Sequence, residues 1–401
     1  MPPSKLLRIF GYYRVYFLTS FFKPKQLFIE LKTLSEHVRC PRCARSDIIF
    51  YGIKKRIYRD LSVTNREFYV VYHRQRIKCQ HCGVLSEHLS FCDDYSRYTR
   101  RFERYVAELC RVLTISDVAK HLNLSWDVVK EIDKKYLAKK YRNPNFKNLR
   151  FLATDEISIG KFHKYLTIVL NLETGQILYV GKERKQKTLD DFFKAMGTVR
   201  CRRIKAMAMD CWDPYIASAT KYIGRNKIVF DKFHIIKNYG EVIDNIRRSE
   251  FNKADLDTRE IIKGSRYLLL ANKDNLKNDH QKEKLEQVLG LNENINIAYI
   301  LKDELKLIWK YNDPHEMEQA LTEWINKALA SELAPLIKFA KMLIRYQYGI
   351  LNYSLYPIST AKLEGTNNKI KVLKRRAYGF HDMEYFRLKL FDLHCNNSIP
   401  R

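Results

Sequence analysis

The sequence predicts a multidomain α+β chain: a small β module clasped by paired cysteines, a helix-turn-helix, and a mixed β-sheet flanked by helices and interrupted by an all-α insertion. Three observations predict it. Two Cys-x-x-Cys pairs stand near the N-terminus, short apolar runs alternate with helical periodicity from about residue 150 to 230, and strand signals vanish over residues 232–345. At 401 residues with 46% hydrophobic content, the chain can fill the cores of two or three such domains.

Residues 1–37 read as an N-terminal arm. Its apolar stretch is broken by Arg8, Arg14, Lys23 and Lys25. It therefore lacks the roughly 20 uninterrupted apolar residues of a membrane helix, and no small-residue cleavage site follows a compact apolar core. A cytoplasmic location is expected, with no membrane partner.

The next module, residues 38–92, is zinc ribbon-like. The nine cysteines are odd in number and carry no export signal, which argues against a disulfide framework. Cys40-Pro-Arg-Cys43 and Cys79-Gln-His-Cys82 supply four thiolates for a tetrahedral Zn2+, each pair biting from one tight turn. Four thiolates close the coordination shell, so the ion is expected to be structural. The β-like runs 47–51 and 67–77 supply the strands between the pairs. Cys92, His81 and His88 are substitute ligands, and Cys110, Cys201, Cys211 and Cys395 read as ordinary thiols.

Residues 95–145 read as a helical DNA-binding domain. Thr114 and Asp117 resemble a capping pair; Val118, Ala119 and Leu122 form a short apolar face; Ser125 can cap a second helix bearing Val128, Val129 and Ile132. That second helix would enter a major groove, offering Ser125, Trp126 and Lys130 to DNA. A packed helical hairpin without DNA contact is the competing reading. Asn143-Pro-Asn145 then serves as a linker.

Strand-like runs follow at 151–157, 165–170, 176–180, 204–209 and 227–230. Glu173-Thr-Gly175 turns between the second and third, and Thr188 with Asp191 caps a helix leading to Gly197. Three strands, helix, strand, helix, strand is the ribonuclease H order, which sets the first and fourth strands side by side. The ribonuclease H-like catalytic domain is expected to comprise 150–234 and 346–395, with the all-α insertion at 235–345.

Acids fall at informative places in this frame. Asp155 lies toward the far part of the first strand, and Asp210 ends the fourth, just before Pro214 can open a helix. Open α/β sheets bind ligands beyond such strand ends. Glu156 and Asp213 are the nearest decoys, and Trp212 and Tyr215 read as core. Glu364 heads the cationic helix Ala-Lys-Leu-Glu-Gly-Thr-Asn-Asn-Lys-Ile-Lys-Val-Leu-Lys-Arg-Arg of residues 361–376. On a 3.6-residue period Glu364, Asn368, Lys371 and Arg375 share one face, opposite Leu363, Ile370 and Leu373. Asn368, Lys369, Lys371, Lys374, Arg375 and Arg376 are candidates for the DNA backbone. Gly365 costs a helix interior about 1 kcal/mol relative to alanine, for which close approach of a strand would compensate.

Lys plus Arg number 73 against 45 Asp plus Glu, a net +28 that points to nucleic acid. In-line attack on a phosphodiester needs the entering and leaving oxygens stabilised, which two divalent ions about 4 Å apart achieve. Three carboxylates suit Mg2+, or Mn2+, where three histidines would select zinc.

Thr154-Asp-Glu-Ile-Ser158, Met209-Asp-Cys-Trp-Asp-Pro-Tyr215, Asp231-Lys-Phe-His234 and Leu363-Glu-Gly-Thr-Asn-Asn-Lys-Ile-Lys-Val-Leu-Lys-Arg-Arg-Ala-Tyr-Gly379 together resemble the DDE transposases of bacterial insertion sequences. The resembling branch carries an N-terminal zinc-binding domain, a helix-turn-helix and a ribonuclease H-like catalytic domain. The resemblance implies that Asp155, Asp210 and Glu364 are the catalytic triad, with Mg2+ the ion. It also implies recognition of terminal inverted repeats by the upstream modules, followed by strand cleavage and transfer to target DNA. Asp231 and His234 match the family's Asp-x-Phe-His motif; they contact DNA, support the site or form a local cap. Cleavage at two ends makes a homodimer or higher oligomer on nucleoid DNA the expected assembly. A zinc and helix-turn-helix regulator with a retired catalytic domain is the rival function.

Overall fold

The computed structural model describes residues 7–160, 164–276 and 278–394, so Cys395 lies outside the described residues. The chain divides after Arg142 into two compact units.

The first unit is built on a sheet of β1 (Val15–Lys23), β2 (Gln26–Thr33), β3 (Ile48–Val63), β4 (Arg66–Cys79) and β5 (Gly83–Ser86). Its order is β1-β2-β4-β3, with β5 also paired to β4. The expected N-terminal arm therefore needs correcting: residues 15–33 form two strands, and β2 pairs in parallel with β4 from Gln26↔Glu67 to Leu31↔Tyr72. The reason is local. Aromatic and β-branched residues dominate Val15–Lys23, and Lys25 takes a left-handed turn conformation, φ 59°, that folds β2 back onto β1. Leu31, Tyr58, Phe68, Val70 and Tyr72 fill the resulting core.

Three helices follow: α1 (Arg100–Val112), α2 (Ile115–Leu122) and α3 (Trp126–Lys140). The Thr114 hydroxyl accepts from the Asp117 N–H, and Ser125 accepts from the Val128 N–H, so both expected caps form. Phe102, Val106, Val118, Leu122, Val129 and Ile132 make the shared core. Asp60, fully buried at the sheet, accepts from the Thr99 hydroxyl at 2.7 Å, from Arg101 Nε at 2.6 Å and from the Tyr12 hydroxyl. This network ties α1 to β3.

The second unit carries β6 (Phe151–Gly160), β7 (Lys164–Asn171), β8 (Ile177–Lys182), β9 (Ala206–Met209) and β10 (Ile228–Phe230) in the order β10-β9-β6-β7-β8. β6, β7 and β8 are antiparallel, whereas β9 runs parallel to both β6 and β10. The first and fourth strands are neighbours, as the ribonuclease H order requires. Strand alternation then sends residues to two cores. Leu152, Val169, Met207 and Phe230 pack with α4 (Gln186–Met196), α6 (Asp213–Ile223) and the helices that follow β10. Ala153, Ile168, Leu170 and Ala208 instead meet Leu363, Ile370, Phe386 and Leu390. These last four belong to α14 (Ala361–Arg376) and α15 (Met383–Asp392). Between α4 and β9 lies the short α5 (Thr198–Arg203).

α4 begins at Gln186, before the expected cap, and the Thr188 hydroxyl instead donates to the Lys182 carbonyl at 2.9 Å. The stretch after β10 is all helix: α7 (Lys232–Lys253), α8 (Leu256–Ile262), α9 (Arg266–Leu270), α10 (Asp279–Leu291), α11 (Glu293–Leu307), α12 (Pro314–Ala330) and α13 (Ala334–Leu355). α13 runs past the expected end at residue 345 because it packs on the sheet. Its Gly349 lies directly against the Phe230 ring, where a side chain would collide. Among the described residues no helix is long and apolar enough to cross a membrane.

Candidate active site

The strand register assembles the first two acids. β6 pairs with β9 through Phe151↔Ala206, Leu152↔Met207 and Ala153↔Ala208. Two residues further along both chains stand Asp155 and Asp210, so the same parallel register that builds the sheet sets these carboxylates beside each other. β6 itself continues to Gly160 against β7, with Asp155 opposite Ile168. Asp155 thus sits in mid-strand rather than near its end, at the point where its β9 neighbour stops. Asp210 leaves the sheet through a tight turn, its carbonyl accepting from the Trp212 N–H at 2.7 Å, and Pro214 opens α6.

A third group comes from the head of α7. Asp231 caps this helix, accepting from the Phe233 N–H at 3.3 Å, and the first turn delivers His234. His234 Nδ1 lies 2.7 Å from Asp210 Oδ2, and Nε2 lies 3.8 Å from Asp231 Oδ2. One ligand atom from each of Asp155, Asp210 and His234 falls within 4.8 Å of the others, a spacing suited to a cation. Burial and then the Asp210 charge push the Asp155 carboxyl up to about 6. Burial also raises Asp231. Burial opposes protonation of His234, but the hydrogen bond and charge of Asp210, followed by Asp231 and Asp155, win and raise it. Such crowding of acids is what a divalent cation would relieve, so the donor set fits a metal.

Glu364 is not part of that trio. It is exposed on α14, and the contacts of its own helix locate it. Thr360, one turn before it, donates to Asp231 Oδ2 at 2.6 Å. Asn367, one turn after it, donates from Nδ2 to Asp155 Oδ2 at 2.6 Å. Residues 360, 364 and 367 share a helical stripe, so Glu364 occupies the position between two anchors on the aspartate side. Sequence reasoning missed Thr360 and Asn367, naming only the adjacent Asn368.

The decoys have other partners. Asp213 pairs with Arg345 at 2.9 Å and accepts from the Tyr346 hydroxyl at 3.1 Å. Glu156 pairs with Arg184 at 2.9 Å, although it also lines the pocket with Thr154, Asp155, Asp210, Trp212 and His234. Tyr215 is core, its hydroxyl 2.7 Å from that of Thr167. Trp212 is not: 37% of it is exposed, its ring lies under the Arg184 guanidinium, and its indole N–H donates to the Arg184 carbonyl at 3.2 Å.

Of the DNA-backbone candidates on α14, Asn368, Lys369, Lys371, Arg375 and Arg376 are exposed, while Lys374 is half-buried and donates to the Ser158 carbonyl at 3.3 Å. On α3, Ser125 and Trp126 are exposed, and Lys130 pairs with Glu131 at 3.6 Å beside the Trp126 ring.

In the first unit Cys40, Cys43, Cys79 and Cys82 converge, one sulfur from each lying within 4.8 Å of the rest. The Cys43 backbone N–H draws the Cys40 thiol down to about 6. Burial, then the hydrogen bonds to Cys43 and Cys40, push Cys82 up to about 12. Four thiolates this close need a cation, and an all-sulfur tetrad fits structural zinc. The substitutes are not in the tetrad: Cys92 is buried in the sheet core, His81 meets Arg45, and His88 is exposed.

Comparison with known proteins finds a related domain over each of these regions. A zinc-finger profile of the IS204/IS1001/IS1096/IS1165 transposases matches residues 36–82, and a profile for the helix-turn-helix domain of the ISL3 transposase family matches 87–137. A profile described as transposase, the DDE domain of the same family, matches 152–390. The transposase for insertion sequence element IS1001 of Bordetella parapertussis is 36% identical over 372 residues, covering 91% of each chain. The transposase for IS1557 of Mycobacterium tuberculosis (strain H37Rv) is 26% identical over 367 residues, covering 85% of this chain and 82% of that protein. With its cysteine tetrad, helix-turn-helix and adjacent aspartates on neighbouring parallel strands of a ribonuclease H-type sheet, the chain belongs to the ISL3 family of DDE transposases.

Proposed function

We propose that this transposase binds the terminal inverted repeats of an insertion sequence through residues 38–145 and cuts and joins DNA strands at Asp155, Asp210 and Glu364. The observation that carries the site is the β6–β9 register, which extrapolates to Asp155 beside Asp210 on adjacent parallel strands. Asp155, Asp210 and Glu364 would hold divalent cations, magnesium by preference for hard oxygen ligands, which when bound stabilise charge on the entering and leaving oxygens.

The chain's own groups do the rest. Asp231 and His234 support the site: the imidazole holds one Asp210 oxygen, orienting the other toward the pocket. Lys369, Lys371, Lys374, Arg375 and Arg376 neutralise phosphates flanking the reactive one. Water attacks the phosphorus at the element end and the bond to the 3'-oxygen breaks, leaving a 3'-hydroxyl. That hydroxyl then attacks a target phosphodiester, so one bond forms as one is lost and the number of phosphodiesters is conserved. Two ends must be processed together, which calls for at least a dimer on DNA.

Alanine at Asp155, Asp210 or Glu364 is expected to abolish cleavage of a fragment carrying the element's ends while leaving end binding intact. Persistent magnesium-dependent cleavage in all three variants defeats the assignment. Strand-transfer products separate a transposase from a nuclease of the same fold.

A further inference from the structure

Two hydrogen bonds of 2.6 Å reach α14 from the pocket, and they are spaced by the helical repeat. Thr360, at the N-cap of α14, donates to Asp231. Asn367, two turns on, donates to Asp155. Asp231 is buried and Asp155 half-buried, and both belong to the acid cluster rather than to the apolar contact made by Leu363 and Ile370. The apolar contact fixes how far the helix stands from the sheet, but side chains of that kind tolerate sliding and rotation about the helix axis. Directional bonds at two points do not.

The second half of the frame is His234. Its Nδ1 meets Asp210 and its Nε2 faces Asp231, so Asp210, His234, Asp231 and Thr360 form one polar chain from the sheet to the head of α14. Asn367 closes the circuit at Asp155, which is itself held by the Glu156 N–H at 2.7 Å. Leu363 and Glu364 both lie on the stripe between the two anchors; Leu363 is buried against the sheet, and Glu364 is the exposed acid beside it.

We propose that Thr360 and Asn367 are positioning residues: their bonds to Asp231 and Asp155 clamp α14 one turn before and one turn after Glu364, and so set where the third carboxylate stands relative to Asp155 and Asp210. This rests on the reading of Glu364 as the third acid. It assigns a purpose to Asp231, a buried acid outside the triad: it transmits the position of His234 and Asp210 to the helix head. An exposed carboxylate on a long side chain has many rotamers, and the helix beneath it must be fixed before those rotamers converge on one ion. Among the described residues Asn367 Oδ1 is buried without a partner, and the bond to Asp155 is the one this amide makes.

The test reads position rather than turnover. The full-length protein is loaded with Fe2+ in place of magnesium and treated with ascorbate and peroxide, and backbone cuts near the bound iron are mapped by mass spectrometry. The wild type is expected to be cut near residues 155, 210 and 364. In Thr360→Val/Asn367→Ala the cuts near 155 and 210 remain and the cut near 364 is lost. Thr360→Ser, which keeps the hydroxyl, retains the wild-type pattern. A double variant cut near 364 like the wild type overturns the clamp. So does loss of that cut in Thr360→Ser. A wild type cut near 155 and 210 but not 364 defeats the underlying reading of Glu364 instead. If the double variant loses all three cuts through misfolding, Thr360→Val alone, with the Asn367 anchor intact, carries the same comparison.

Discussion

Gly365, directly after Glu364, offers a quantitative test of how DNA approaches the site. It lies inside α14, where glycine is less favourable than alanine by about 0.8–1.0 kcal/mol. A Cβ built there meets nothing within 4 Å, so Gly365→Ala carries no steric penalty in the free protein. The full propensity gain should therefore appear as stability, about 1 kcal/mol, or roughly 2–4 °C in the melting temperature of a unit of this size. The chain nonetheless has glycine there, next to Glu364, the proposed third acid, and before a row of cations. If that space is where the DNA strand runs, the same methyl that stabilises the free protein will obstruct the complex. Calorimetry on the free protein and cleavage of end-bearing DNA decide the matter together. The expected outcome is a higher melting temperature with cleavage reduced by about tenfold or more, the effect of misplacing a reacting group by about an ångström. A variant that is both more stable and fully active would refute the reasoning, since the glycine would then have no partner to make room for.

Gly349→Ala should do the opposite: a methyl there overlaps the fully buried Phe230 ring, so overpacking of about 1–3 kcal/mol outweighs the helix gain and urea unfolding shifts to lower concentration. Lys302 donates to the Leu269 and Ala271 carbonyls, each at 2.7 Å. Lys302→Met leaves both unpaired and should cost about 1–3 kcal/mol per carbonyl. Burial pulls the Lys302 amine down to about 8. Between that value and the unfolded value near 10.4 the unfolded chain binds more protons, so this group's contribution to stability rises with pH. The stability gap between wild type and Lys302→Met, followed by denaturant titration, should widen from pH 8 to 10; a constant gap contradicts the assignment. Metal analysis of freshly purified protein should find one zinc per chain. A Cys40→Ser/Cys79→Ser variant should lose zinc and the cooperative unfolding of the first unit, while unfolding of the second is unchanged.

Much of the fold was legible because strand and helix leave different periods in the sequence. The five strands of the second unit were visible as apolar runs with β-branched residues, since each is buried on both faces. β1 and β2 escaped because Tyr16, Phe21, Phe22, Phe28 and their neighbours form one long apolar stretch broken by cations, and a test for membrane spans sees only the breaks. Strand pairing tolerates a Lys at an edge or a turn, where it blocks unwanted pairing. Pro24-Lys25 between two β-rich runs was the available signal. The end of the insertion was misplaced for another reason. Helical periodicity continues without interruption to Leu355, and only the packing of Gly349 on Phe230 tells that the last turns of α13 belong to the sheet.

For the site, residue type was legible and connection was not. Asp155 and Asp210 could be picked out because acids within or just after buried strands are costly unless they are used. Their register could not be read, because it depends on where β9 stops beside a β6 that continues, and that is settled by pairing partners distant in sequence. His234 was visible only as part of a motif. What makes it informative is the 2.7 Å contact to Asp210 together with the approach to Asp231, which joins a strand end and a helix cap into one polar chain. Asn367 was invisible beside Asn368, since two adjacent amides on a cationic helix look equally suited to a phosphate. They differ by one position, which rotates the side chain by about 100° around the helix. Asn368 then faces solvent and Asn367 reaches Asp155. A single residue's rotation therefore separates an exposed amide, which we propose meets DNA, from one bonded to Asp155, and Asn367→Ala is expected to lose strand cleavage while Asn368→Ala loses salt-sensitive DNA affinity. Equal effects of the two substitutions on both measurements would mean that the helix is not fixed about its axis as its hydrogen bonds require.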